Sequence, residues 1–303
     1  MPILQQKIET TANEWTWEQS SQPPFNELIL SWNGFRPPIG HWQFFVSLFQ
    51  ENWSCWLSYA EWGNQRQKSF QSNVQNSFAK TDQDVVQTSH GYCTGFRIRI
   101  VAVEGATLQG LHNVAVCISN TQLMCIPCTE NLPTTTLSSI PRQSQMVLRH
   151  PRCKDLCSPT STSVAINYLY KSARIDPVIF AESVRDQEFD IYGNWVLNTA
   201  AAYDALQGKY TTFVARLSSF VEAHQSIAKG LPLVVSIKGP IDGAPKPYLS
   251  GHLLLLTGYD QSSRRILCMD PGFDTNSQTE ASYPLDAFLE AWGRRRNLAY
   301  VFS

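Results

Sequence analysis

The sequence predicts an α+β protein. An N-terminal antiparallel β-sandwich of roughly 110 residues is followed by a domain in which helices precede a run of strands. Three observations carry that prediction. Short alternating or apolar runs, broken by Gly, Asn and Pro turns, fill residues 25–118 with no convincing helical period. A polar, turn-prone stretch from Pro127 to Pro141 interrupts them. Beyond it the apolar spacing turns helical before reverting to strands. The expected organisation is a polar N-terminal segment (1–22), a sandwich (23–128), a linker (129–141) and a second domain (142–303).

In order, Leu28–Trp32 reads as a strand ending at the turn signal Asn33-Gly34. Trp42, Phe44, Val46 and Leu48 alternate with Gln43, Phe45 and Ser47. Trp56–Tyr59, Phe96–Val103 and Val114–Ile118 are further strands. Seven of the nine Trp lie in the first 62 residues. Such rings can form a sugar-stacking platform, but core packing is the preferred reading. In the second part, helices are expected at 160–172, Val178–Val184, from Trp195 to a stop at Gly208, at Phe220–Lys229 and at Leu285–Trp292. Strands are expected at Thr211–Arg216, Leu233–Ile237, Leu253–Tyr259, Arg265–Met269 and Leu298–Phe302.

Composition narrows the function classes. The 303 residues are 43% hydrophobic, 12% aromatic and 16% charged, which supports packed cores over disorder. A formal net charge of -1 gives no electrostatic reason for a nucleic acid or an anionic membrane as partner. The one basic run, Arg294-Arg295-Arg296, reads as a solvated turn. No apolar run approaches bilayer-spanning length, and Met1–Lys7 lacks the regions of a secretion signal. A soluble cytosolic protein is the expectation, with export by a route that reads no such signal left open. The eight Cys are scattered, as reduced thiols are. Cys125-Ile126-Pro127-Cys128 is a lone CxxC. With Cys153 and Cys157 it would make an irregular zinc site without a ligand-like His beside it, so no metal or other cofactor is expected.

The chemistry concentrates in two places. In Leu156-Cys157-Ser158-Pro159-Thr160-Ser161, Ser158 is a good N-cap and Pro159 suits the first helical position. Cys157 then sits by unpaired amides at the positive end of a helix dipole, where a thiolate is favoured. The second place is Gly251–Gly272, two apolar runs flanking a polar loop. A turn centred on Gln261 puts His252 opposite Asp270 on one face. A one-residue slip would turn His252 to the other face. A helix-start Cys, a strand-start His and a carboxylate on the next strand form a constellation for nucleophilic catalysis. His224 reads as a surface residue on a polar helix face.

These residues resemble a known group. Cys157-Ser158-Pro159-Thr160-Ser161, Gly251-His252-Leu253 and Met269-Asp270-Pro271-Gly272 are similar to the papain-like cysteine peptidases related to bacteriocin-processing (double-glycine leader) peptidases. The likeness is especially to stand-alone bacterial members with an N-terminal β-sandwich. Ile29-Leu30-Ser31-Trp32-Asn33, Gly193-Asn194-Trp195 and Gly243-Ala244-Pro245-Lys246-Pro247 extend the likeness over most of the chain from about residue 25. The resemblance implies helices packed on an antiparallel sheet, with Cys157 as nucleophile, His252 as base and Asp270 as orienting acid. It also implies a Gln donor to the oxyanion, for which Gln145 is the best match and Gln143 its rival. Gln145 lies farther ahead of the Cys than is usual for the family, and Ser158 stands where many relatives have Gly. Trp195 is a candidate wall of the substrate groove. The expected activity is peptide or amide hydrolysis through a thioester, with a peptide or protein as substrate and acyl transfer a nearby variant. The alternative is a non-catalytic binding protein whose sandwich engages a protein or glycan.

Overall fold

Strands such as Gly95–Val103 alternate with period two, which places one set of side chains in a core and the other outside. The structure, a computed structural model, describes residues 2–72, 77–123, 131–172 and 174–303. Cys125 and Cys128, and so the CxxC pair, lie outside the described residues. The strands of the first part are β1 (Ile3–Lys7), β2 (Glu14–Gln19), β3 (Glu27–Gly34), β4 (His41–Phe49) and β5 (Leu57–Gly63). They continue with β6 (Gln67–Ser72), β7 (Ala79–Gln83), β8 (Val85–Thr88), β9 (Gly95–Val103) and β10 (Leu111–Ser119). The short β11 (Thr135–Thr136) is followed by helices α1 (Cys157–Tyr170), α2 (Pro177–Val184) and α3 (Trp195–Ala205). Then come β12 (Thr212–Arg216), α4 (Phe220–Ala228), β13 (Leu233–Gly239), β14 (Tyr248–Asp260) and β15 (Arg265–Met269). The chain closes with β16 (Glu280–Pro284), α5 (Leu285–Gly293) and β17 (Leu298–Phe302).

The chain divides into two units, Met1–Leu123 with Arg185–Gly208, and Met124–Val184 with Lys209–Ser303. The first holds one ten-stranded antiparallel sheet in the order β1-β10-β3-β8-β7-β6-β5-β4-β9-β2. The sequence predicts an antiparallel β-sandwich here; in the structure β6 joins two halves of one sheet, with Gln67 to Ser69 paired to β5 and Phe70 to Ser72 paired to β7. The sheet curls so that β3 meets β4 and β5 across the core. Trp32 stacks on Phe44 with ring centroids 4.2 Å apart, and the Tyr59 hydroxyl accepts from the Leu30 N–H. Trp32, Trp42 and Trp62 are fully buried and offer no ring face to a ligand. The first 22 residues are not a separate segment. They supply both edge strands, β1 and β2, and Trp17 packs edge-on against Phe96.

Residues Arg185–Gly208, expected within the second domain, pack with the first unit. Asp186 is the reason. One of its oxygens accepts from the Ser69 N–H, the Ser69 hydroxyl and the Asn194 side-chain amide, and the other from the Glu188 N–H. Asp84 accepts from the Trp195 N–H at 2.7 Å at the start of α3, and Asn194 caps that helix through the Leu197 N–H. A carboxylate buried this deeply is tolerated only with donors all round it.

The second unit carries an antiparallel sheet in the order β12-β17-β13-β14-β15-β16, with β11 added beside β14. Leu233–Ile237 and His252–Leu256 are buried at every position, so both sheet faces are covered there, by α1, α4 and α5. Together the units make a mixed α/β protein dominated by a large curled antiparallel sheet. Asp186→Ala should lower stability by about 3 kcal/mol, because four donors lose their acceptor in a buried site. A urea midpoint equal to that of the unaltered protein would contradict this account.

Candidate active site

The site is built from the start of α1 and the long strand β14. Helix α1 opens at Cys157, two residues before the expected first helical position, so Pro159 takes its third position. Leu156 occupies the cap position and no side chain caps the helix. The first-turn N–H groups therefore have no intrahelical acceptor and gather at the positive end of the dipole. The helix is not amphipathic there. Ser158 through Ile166 are all buried, and the small Ser and Thr side chains let the helix approach the sheet closely. The Ser161 hydroxyl donates to the Leu253 carbonyl, and Ser158 Oγ lies 2.9 Å from the Tyr300 hydroxyl.

Cys157, partly exposed, is thereby laid against β14. Its sulfur lies beside His252 and the backbone N–H groups of Leu253 and Ser158, near enough for each to favour the thiolate. His252 is buried and donates from Nε2 to Asp270 Oδ1 at 2.7 Å, which leaves Nδ1 for the sulfur. The register differs from expectation. The turn spans Gln261–Arg264, and a bulge follows at Thr257, so Leu255 pairs with Met269 and Leu256 with Cys268. Extended, that ladder sets Gly272, not Asp270, opposite His252. The error is two residues, which preserves the face, so the two side chains still meet on the diagonal.

Asp270 is fully buried and all its acceptor sites are used. Oδ1 accepts from His252 and from the Gly272 N–H at 2.8 Å. Oδ2 accepts from the Tyr248 hydroxyl at 2.8 Å and the Tyr283 hydroxyl at 2.6 Å. The Tyr248 ring also lies parallel to the imidazole, 3.9 Å away at 8°. Tyr248, Tyr283 and Gly272 carry no role in the sequence reading. Tyr248 precedes the expected start of its strand, and Tyr283 sits in β16, whose Glu-Ala-Ser-Tyr-Pro run gives no strand signal.

Charge organises the site. Burial alone would push the Cys157 thiol up, but the His252 hydrogen bond and charge, with two backbone N–H groups, bring it below the usual thiol value. Burial would push His252 down, yet the Asp270 charge and hydrogen bond and the Cys157 sulfur raise it to about 9. Burial would raise Asp270, and the His252 charge, with donors from His252, Tyr283 and Gly272, keeps it below the usual carboxylate range. Both shifts favour the charge-separated form of the pair, a thiolate beside an imidazolium. The His252 contribution to stability is complete below about 6.5, the ordinary His value. It is lost as pH rises through about 9.

The other expected residues fall elsewhere. Gln145 is buried in the turn before α1 and donates from Nε2 to the carbonyls of Cys153 (3.0 Å) and Lys154 (2.7 Å). Both amide hydrogens are therefore engaged and none is offered to an oxyanion. Its Oε1 has no partner among the described residues. Gln143 donates to the Ser144 carbonyl and to Asn276. Trp195, the candidate groove wall, belongs to the first unit rather than to the unit holding Cys157. His224 is buried, not superficial, and pairs with the Pro133 carbonyl at 2.8 Å. Among the described residues no group of three His, Cys, Asp or Glu is arranged to hold a metal ion, and no helix is long and apolar enough to cross a membrane.

Comparison with known proteins adds one assignment. The family described as Peptidase_C39 like matches residues 137–300, more than half of the chain. A crystal structure of a candidate C39-like peptidase from Bacillus anthracis is similar at a TM-score of 0.44 and 17% identity, covering 57% of this chain and 98% of that one. No curated protein matches the sequence. Gly272→Ala tests the packing around Asp270. A Cβ there would lie 2.7 Å from the Tyr248 hydroxyl, 3.1 Å from Asp270 Oδ1 and 3.3 Å from the His252 ring. The variant should lose about 1–3 kcal/mol by overpacking, read as a lower melting temperature. A wild-type melting curve would show that these groups move aside freely.

Proposed function

The chain belongs to the Peptidase_C39 like family, and from that membership we propose that it is a cysteine peptidase acting on a peptide or protein substrate. Cys157 is the nucleophile, His252 the general acid and base, and Asp270 the group that orients the imidazole. The observation that carries the reading is the 2.7 Å hydrogen bond from His252 to the buried Asp270 carboxylate, with the Cys157 sulfur beside the same imidazole.

The thiolate attacks the scissile carbonyl and a tetrahedral oxyanion forms. Imidazolium gives its proton to the departing amine, which leaves a thioester on Cys157. Neutral His252 then takes a proton from water, whose oxygen attacks the thioester carbonyl. Collapse expels the sulfur and restores the ion pair. The N–H of Cys157 itself, at the uncapped start of α1, is the backbone donor to the oxyanion. With both its amide hydrogens on backbone carbonyls, Gln145 holds the turn that leads into the nucleophile, and it serves the oxyanion only if it releases one of them.

Two outcomes test this. Iodoacetamide should modify Cys157 well ahead of the other cysteines at neutral pH, as peptide mass mapping would register, and His252→Ala should abolish that preference. Uniform slow labelling of all the cysteines would leave a binding protein on a peptidase fold. With a cleavable peptide, turnover should fall as pH rises through about 9, because the leaving amine then has no acid. His252→Ala should cost about 10²- to 10⁴-fold.

A further inference from the structure

We infer that Tyr248 is a positioning residue for this site: its ring face holds and stabilises the cationic His252, while its hydroxyl, with that of Tyr283, anchors Asp270. The inference rests on the triad reading above. The geometry is specific. Tyr248 and His252 are four residues apart on one strand, and the irregular pairing between Ile237 and Gly239 on the neighbouring strand accompanies the twist of this end of β14. The two rings are brought to 3.9 Å and within 8° of parallel. The same phenol reaches past the imidazole to Asp270 Oδ2. A cation over an aromatic face is stabilised by the ring quadrupole, most strongly where water is excluded, and Tyr248 and His252 are both buried.

One side chain thus touches two members of the line. Its face opposes rotation of the imidazole, which the single bond to Asp270 alone would permit. Its hydroxyl fixes the carboxylate that aims that bond. Tyr283 completes the anchor from β16, and Gly272 leaves the room in which the phenol and carboxylate meet. The titratable groups around His252 are Cys157 on α1 and Asp270 beyond β15. Through that carboxylate, Tyr248, Tyr283 and the buried Cys268 are coupled to it as well.

The test is the pH profile of Cys157 alkylation by iodoacetamide, mapped to the residue by mass. A thiolate–imidazolium pair gives two steps, the sulfur ionising first and the ring last, near pH 9. Tyr248→Phe keeps the ring face, so the upper step should not fall. Tyr248→Leu removes the face and should lower that step by about one pH unit. A purely structural role would lower the melting temperature of Tyr248→Leu and leave the step in place, which would overturn the inference. Should Tyr248→Leu not fold, the unaltered protein decides. The His252 Cε1 proton should resonate upfield of free histidine through the ring current of the stacked phenol, and a free-histidine position would overturn the proposal. Selective alkylation of Cys157 with an unmoved upper step refutes only the role of Tyr248. Absence of selective alkylation in the unaltered protein removes the triad reading and this inference together.

Discussion

A single buried carboxylate organises the second unit. Asp270 has no contact with solvent, and an ionised group in that position is stable only when each oxygen is satisfied. Four donors do this, and they come from β14, from β16 and from the turn after β15. The placement of those elements is therefore coupled to the charge. Its negative potential then holds a proton on His252, whose positive charge favours the thiolate at the start of α1. Acidity, strand pairing and helix docking are three aspects of one electrostatic arrangement.

Much of this was legible in the sequence. Leu298–Phe302 and Arg265–Met269 form strands over the expected residues, and α4 and α5 differ from expectation by one residue at their C-terminal ends. Their apolar periodicity is strong and their turn residues are unambiguous. Cys157, His252 and Asp270 were nominated from chemistry and spacing. Their meeting tolerated a wrong register, because an error of two residues keeps the face. What escaped notice was polar. Gln67–Ser72 and Ala79–Gln83 carry few apolar residues, so the strands that curl the first sheet gave little signal. Tyr248 lay in a stretch rich in Pro and Gly, and its partner Tyr283 in a short strand that ends in Pro.

Local residue type says least where tertiary partners override it. Gln145 has the side chain an oxyanion donor needs, yet the carbonyls of Cys153 and Lys154, in the next turn, occupy it. His224 reads as a solvated residue by its neighbours in sequence, but a carbonyl from the segment at Pro133 covers it. Trp195 opens a helix as expected, and that helix is retained by Asp84 and Asp186 of the first unit. For His224 and Trp195 the deciding partner is distant in sequence, and no window of local pattern contains it.

That retained helix has a consequence for how the protein is made. The backbone passes from one unit to the other three times, after Leu123, Val184 and Gly208. The first unit is therefore incomplete until residue 208 has left the ribosome, although its ten strands emerge far earlier. Domains normally mature in the order of synthesis. Here the α1–α2 region of the second unit is translated before the last piece of the first, so the nascent chain must keep a surface open for a late-arriving insert.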